Sequence, residues 1–261
     1  MFYLSLGWDY LKTYMKIRLA YRMDLLVEIL SDLMFQGVNL FFLLVVFLHT
    51  QLLDGWTESQ MLFVYGYFMV PYGIFNCCFN LWNFTERYIV KGEMDRILTR
   101  PAYNLTQLAL ENLDPPSLAG SVVGLVIMAL TWPSAGLEFA WYDPLVLAVL
   151  VLGSIMVYAG IYIAFTAISF FTDAPTGILP LVWNIQNYGR YPVTIYNRAI
   201  TVLLTGILPF AFVGFYPAAY FLDRAAWGHI ALLTPVVGGV FFAGALAFWN
   251  FGVSRYRGAG S

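Results

Sequence analysis

Charge is scarce in this chain of 261 residues: 11% are Asp, Glu, Lys or Arg, while 61% are hydrophobic. That balance excludes an ordinary soluble domain. At about 20 residues per bilayer-crossing helix, the length leaves room for about six spans and no soluble catalytic domain. Histidine and cysteine are scarcer still, with two of each. His49 and His229 fall at the outer ends of apolar runs, far from Cys77 and Cys78, which argues against a metal site. The adjacent cysteines project in different directions from one helix and read as small packing residues rather than a redox pair. No GxxxxGK[ST] loop, HExxH pair or GxSxG elbow occurs, so no catalytic centre, cofactor or metal is expected in this chain. Glu28 and Asp32 interrupt the first apolar run and no small-x-small site follows it, so the N-terminus is expected to be retained.

What charge there is has been sorted. Lys12, Lys16, Arg18 and Arg22 precede the first apolar run, and Arg87, Lys91, Arg96 and Arg100 follow the second. Arg190 and Arg198 follow the fourth; Arg255 and Arg257 follow the last. Loops 49–58 and 132–143 contain no Lys or Arg, and only Arg224 lies in the third loop of that set. By the positive-inside rule the basic segments are cytoplasmic and both termini lie inside. The net charge of −2, distributed by membrane side, offers no nucleic-acid-binding surface.

The expected fold is all-α: one integral membrane domain over residues 1–261, with six transmembrane helices at about 25–48, 59–82, 108–131, 144–171, 199–215 and 230–250. Residues 1–24 are expected to form a cytoplasmic interfacial helix, with Leu4, Trp8, Leu11 and Met15 on one face and Asp9, Lys12, Thr13 and Lys16 around the other. Pro175, Gly177, Pro180, Gly189 and Pro192 punctuate 173–198, which reads as a short amphipathic helix near the inner face. Pro209, Gly214 and Pro217 break the apolar run 207–222, which reads as a re-entrant outer segment, since broken backbone at membrane depth survives where protein covers it.

Two polar stripes stand out. Glu28, Asp32, Gln36 and Asn39 share one face of the first span, and Asn76, Asn80 and Asn83 descend one face of the second. Polar groups inside a span avoid lipid, so the stripes either line a translocation path or bond neighbouring helices. The opposite face of the second span carries Tyr65, Phe68, Tyr72, Phe75, Phe79 and Trp82, which suits packing or lipid contact better than a ligand box. Gly120 and Gly124 form a GxxxG that permits close helix approach. The cytoplasmic segment 83–107, with Arg87, Lys91, Glu93, Asp95, Arg96 and Arg100, mixes both signs. It is either a solvated loop or a short amphipathic helix that meets a cytoplasmic partner.

The segments KGEMDRILTRP, FYPAAYFL and GVSRYRGAGS, in this layout, resemble permeases of the type-2 ABC exporter superfamily, in a bacterial branch related to daunorubicin-resistance-type permeases. The resemblance implies a bacterial inner-membrane subunit that pairs with a second permease, identical or paralogous, amid membrane lipids. It also implies a separate cytoplasmic ABC ATPase dimer that carries ATP and Mg. Arg87 to Arg100 would then form the ATPase-coupling segment, and Pro209, Phe215, Tyr216 and Pro217 would contribute to an outer gate. Two other classes remain open: a proton-coupled secondary transporter that uses Glu28 and Asp32 as relay groups, and a non-transporting membrane assembly subunit.

Overall fold

The computed structural model describes residues 2–137, 140–172, 178–256 and 258, with side chains from Ser5 onward. Leu4, Pro175, Gly177 and Arg257, which figured in the sequence reading, lie outside the described side chains or residues. The described chain is helical: α1 Phe2–Ala20, α2 Arg22–His49, α3 Glu58–Cys78, α4 Met94–Leu98, α5 Asn104–Glu111 and α6 Leu118–Thr131, then α7 Asp143–Ala167, α8 Ile178–Gln186, α9 Arg198–Val202, α10 Phe215–Leu222, α11 Arg224–Ala231 and α12 Thr234–Arg255. Among the described residues, four segments are long and apolar enough to cross a membrane: α2, α3, α7 continued to Phe170, and α11 with α12. The pair formed by α5 and Pro115–Thr131 makes a fifth if it is counted as one span, but it is bent by 74°.

The core is built where small residues let helices touch. A Cβ on Gly153 would lie 2.8 Å from the Pro235 backbone, and one on Gly160 would lie 2.7 Å from that of Phe241, so α7 and α12 meet backbone to backbone. Gly66 of α3 and Gly124 of α6 face each other in the same way, and Ser121 Oγ donates to the Val70 carbonyl at 2.8 Å. The GxxxG of α6 therefore works within the chain: Gly124 seats α3, and Gly120 faces Asp32. Tyr158, fully buried on α7, packs against Phe68, Tyr72, Phe75 and Phe210. The aromatic stripe of α3 is thus largely core rather than lipid contact.

Three expected boundaries move. The second span ends at Cys78 rather than 82, because the asparagine-rich stretch that follows competes with helical hydrogen bonding; Asn83 is left exposed and off the helix. The third span starts after Pro115 and Pro116, which lack the N–H needed to continue from α5, so the expected 108–131 splits into α5 and α6. The expected fifth span, 199–215, is only α9 and a π-helical turn, Arg198–Ile207, which stops at Leu208 and Pro209. At about 1.5 Å per residue that piece cannot cross a bilayer core of about 30 Å.

The passage across the bundle is made instead by the broken segment 178–195. Ser169 bonds Thr85 at the basic end of the bundle, and 25 residues later Thr194 Oγ1 accepts from Trp56 Nε1 at the opposite end, at 3.0 Å. Asp54 and Gly55, both at positive φ (49° and 83°), make the tight turn that holds Trp56 there. The reading of 173–198 as a helix confined to the inner face is therefore corrected, and so is the assignment of Arg190 and Arg198 to the cytoplasmic side. Arg190 is buried inside the bundle and Arg198 follows Thr194 at the far end. From Arg198 the chain dips inward, turns at 208–214 against Gly189, and returns through α10 to Phe63 and Trp132. The re-entrant segment is thus a hairpin over 198–222, longer than the expected 207–222.

Candidate functional site: a polar cavity and its two ends

Polar side chains from α2, from α3 and from the stretches that follow α3 and α5 meet in one cavity. Asp32 and Gln36 of α2 line a space of about 370 Å³ together with Asn76, Asn80, Asp114 and Trp183. Tyr72, Tyr162 and Trp82 add aromatic wall. The four-residue spacing of Asp32 and Gln36 turns both toward α3. Tyr65 OH fixes the register, donating to the Gln36 carbonyl at 3.0 Å and to its Oε1 at 3.1 Å. Asn76 is not wholly free for a ligand, since its Nδ2 donates to the Tyr72 carbonyl at 3.0 Å.

The cavity also holds a carboxylate that the sequence reading missed. Asp114 N–H donates to the Cys77 carbonyl at 3.0 Å, capping the exposed end of α3. Its Oδ2 accepts from Ser117 Oγ at 2.6 Å, while Oδ1 is buried without a partner. Two carboxylates and no basic residue thus line one wall. The Asp-Pro-Pro sequence inside an otherwise apolar run was the available signal, because such a triplet breaks a span and exposes the side chain before it.

The other path candidates lie elsewhere. Glu28 forms an ion pair with Arg18 at 2.7 Å, outside this cavity, so it does not face Asp32 as a relay partner would. Asn39 bonds the Phe35 carbonyl at 2.7 Å and lines a second cavity one turn further along α2. Asn83 lines neither.

At the basic end the charged segment folds back on the bundle. Met94 and Ile97 anchor the five-residue α4 in the core. Arg87 pairs with Glu93 at 2.9 Å, Lys91 with exposed Glu86 at 2.8 Å, and Arg96 reaches Glu93 at 3.5 Å. The hub is Glu111 at the end of α5, whose side chain is 8% exposed. It accepts from Arg96 at 2.7 and 2.9 Å, Arg100 at 2.8 Å, and the hydroxyls of Tyr10 and Tyr88 at 3.3 Å. Burial pushes the Glu111 carboxyl up; the hydrogen bonds and charge of Arg96, then the charge of Arg100, outweigh it and hold the group below its ordinary range. Glu111 also went unread as a site residue, because the continuous span expected over 108–131 hid the bend that puts it among arginines. Asp95 remains exposed on the outer side of α4, beside Gly258.

At the opposite end Phe215 packs edge-on against Trp56 at 5.5 Å and against Trp227 at 5.1 Å. Tyr216 OH meets Thr205 Oγ1 at 3.0 Å, which ties the two arms of the hairpin together. Pro209 ends the inward arm and buried Pro217 lies in the first turn of the returning one. The four outer candidates thus share one hairpin.

A family model described as ABC-2 family transporter protein matches residues 33–260. The chain belongs to that family. No curated protein and no solved structure matches it. An ABC-2 chain is the multi-pass membrane permease of an ABC transporter and works with an ABC ATPase, which accounts for a bundle without a nucleotide-binding loop. The match covers α3 to α12 and most of α2, so it includes the second cavity, Glu111, the outer hairpin and the lining of the first cavity apart from Asp32.

Proposed function

We propose that this permease subunit exports an amphipathic substrate by alternating exposure of the cavity at Asp32 and Asp114, driven by a separate ATPase dimer at the basic end of the bundle. The observation that carries the reading is the convergence of Asp32, Gln36, Asn76, Asn80 and Asp114 on one space beside α2. In an apolar 18-residue stretch of α2 only 11% of residues are buried, against 72% for the corresponding stretch of α3. A helix so thinly covered leaves the cavity accessible from lipid or from a second permease subunit, whose natural seat is the bare apolar face of Met34, Val38 and Phe41.

Asp95, with its neighbours on α4, would receive the ATPase, and the Glu111 hub would pass its movement to α5 and α1. A nucleotide shifts such states only by binding them unequally, so the coupling segment has to be gripped rather than loose. The outward-facing hairpin around Phe215 would gate the far side. Both termini lie in the cytoplasm of a bacterial inner membrane on this reading.

The test is mild-detergent purification of the tagged chain from its native host, with mass spectrometry of what accompanies it and an ATPase assay. A stoichiometric ATPase whose activity falls with Asp95→Lys supports the reading. A preparation without any ATPase, under conditions where a control complex survives, would overturn it.

A further inference from the structure

A buried guanidinium with no counter-charge among the described residues sits beside the second cavity. Arg190 is 5% exposed, and its Nε has no hydrogen-bond partner. Its Nη2 donates to Asn187 Oδ1, and the group lies over the rings of Phe68 at 5.4 Å and Tyr65 at 5.9 Å. Those rings stand ten and seven residues into α3 from Glu58, or about 15 and 10 Å from that helix end, so the charge is well inside the bundle. No carboxylate of the described residues forms an ion pair with it. Ring quadrupoles attract a cation but carry no net charge to neutralise it, and a charge held away from water is retained where something pairs with it.

Arg190 lines a cavity of about 570 Å³, with Asn39, Asn184 and Asn187 as amides and Tyr188 and Tyr191 as hydroxyls. No acidic residue contributes to that wall. Because Asn187 Oδ1 is turned to Arg190, its Nδ2 is left as a donor toward other groups. The rest of the wall is apolar, with Phe42, Leu43, Val46 and Leu53. Phe42 is 62% exposed on the outward side of α2, so the apolar wall runs out to the lipid-facing surface. The chemistry that satisfies every part is a single anionic head, phosphate or carboxylate, on an apolar tail.

We infer that this cavity binds the anionic head of an amphiphile against Arg190, Asn184 and Asn187, with its tail along Phe42 and Val46. The first cavity, walled by Asp32 and Asp114, repels such a head, so the two spaces along α2 sort ligands by charge. The head could belong to a bilayer lipid or to cargo on its way across. The site stands on this chain alone; if it fails, the reading of ATPase coupling is untouched, and the converse also holds.

The probe is dodecyl phosphate, added to the full chain in maltoside detergent while thermal unfolding is followed. A saturable rise in midpoint is expected with dodecyl phosphate and none with dodecyltrimethylammonium. Arg190→Gln should weaken the apparent affinity by about tenfold or more, the loss of a charge-assisted contact, Arg190→Lys by less, and Asn184→Leu measurably. Asn184 is exposed on α8, so that variant and the wild-type choice between head groups decide the matter even if Arg190→Gln does not fold. Equal response to both head groups, or unchanged affinity in Arg190→Gln or in Asn184→Leu, overturns the site. Mass spectrometry of lipid retained by the assembled transporter distinguishes the sources: an anionic lipid kept through ATP turnover is resident, one released by it is cargo, and either outcome supports the site.

Discussion

Arg96 grips both carboxylate oxygens of Glu111, Nη1 to Oε1 at 2.9 Å and Nη2 to Oε2 at 2.7 Å. The two residues are fifteen apart in the chain, one on α4 and one at the end of α5, so the pair fastens the charged segment to the helix that leads into α6. Arg100, Tyr10 and Tyr88 converge on the same carboxylate, so the charged segment, α1 and α5 are joined at one point.

Replacing Glu111 with Gln should cost about 1–2 kcal/mol of stability, since charged hydrogen bonds contribute about 1.5–3 kcal/mol each but both guanidinium groups are partly hydrated and screened. The check is the unfolding midpoint in detergent. In the assembled transporter the same variant should lower transport per ATP hydrolysed; unchanged stoichiometry would separate the hub from coupling.

The acid response of that hub has a definite sign. The folded Glu111 carboxyl sits below its ordinary 4.5, so its contribution is fully present above about pH 4.5 and is lost as pH falls through the lower folded value. The gap in midpoint between the wild type and Glu111→Gln should therefore be constant near neutrality and close on acidification. A gap that widens in acid would contradict the pairing.

Arg224 pairs with Asp143 at 2.8 Å and donates to Tyr142 OH at 2.7 Å, joining the starts of α7 and α11. Asp143 is 1% exposed. Arg224→Ala leaves that carboxylate buried with only the Ala140 N–H, and should destabilise by about 3 kcal/mol. Adding Asp143→Asn should recover part of the loss, because the uncompensated charge is gone. Differential scanning of the three proteins measures both steps.

In the first cavity, Asn80→Leu and Asp114→Asn should each alter flux or substrate-stimulated ATP hydrolysis several-fold while assembly persists, because neither side chain bonds another helix of the core. Tyr65→Phe instead removes the clasp on Gln36 and should cost about 1 kcal/mol of stability. Loss of assembly in Asn80→Leu, with normal flux in whatever assembles, would assign that amide to packing.

Composition and the order of charges along the chain determined the membrane class, the helical fold and the charge-rich segment after the second span, because apolar length and helical period are local properties. The stripe of Asp32 and Gln36 was legible for the same reason, since four-residue spacing sets a face whatever packs on it; Asn80 lines the same cavity as Asn76 although it lies beyond the end of α3. Tertiary structure decided what those faces meet. Asp114 and Glu111 joined the reading only because Pro115 and Pro116 bend the chain between α5 and α6, and Glu28 left it because Arg18 lies within reach. Arg190 and Arg198 followed an apolar run and so read as a loop on the basic side. Glycine contacts at Gly189 and Gly214, and the bond from Trp56 to Thr194, carry that segment across the bundle instead. Such contacts join residues up to 138 apart in sequence, and no local period encodes which distant backbone will fit against a residue without a side chain.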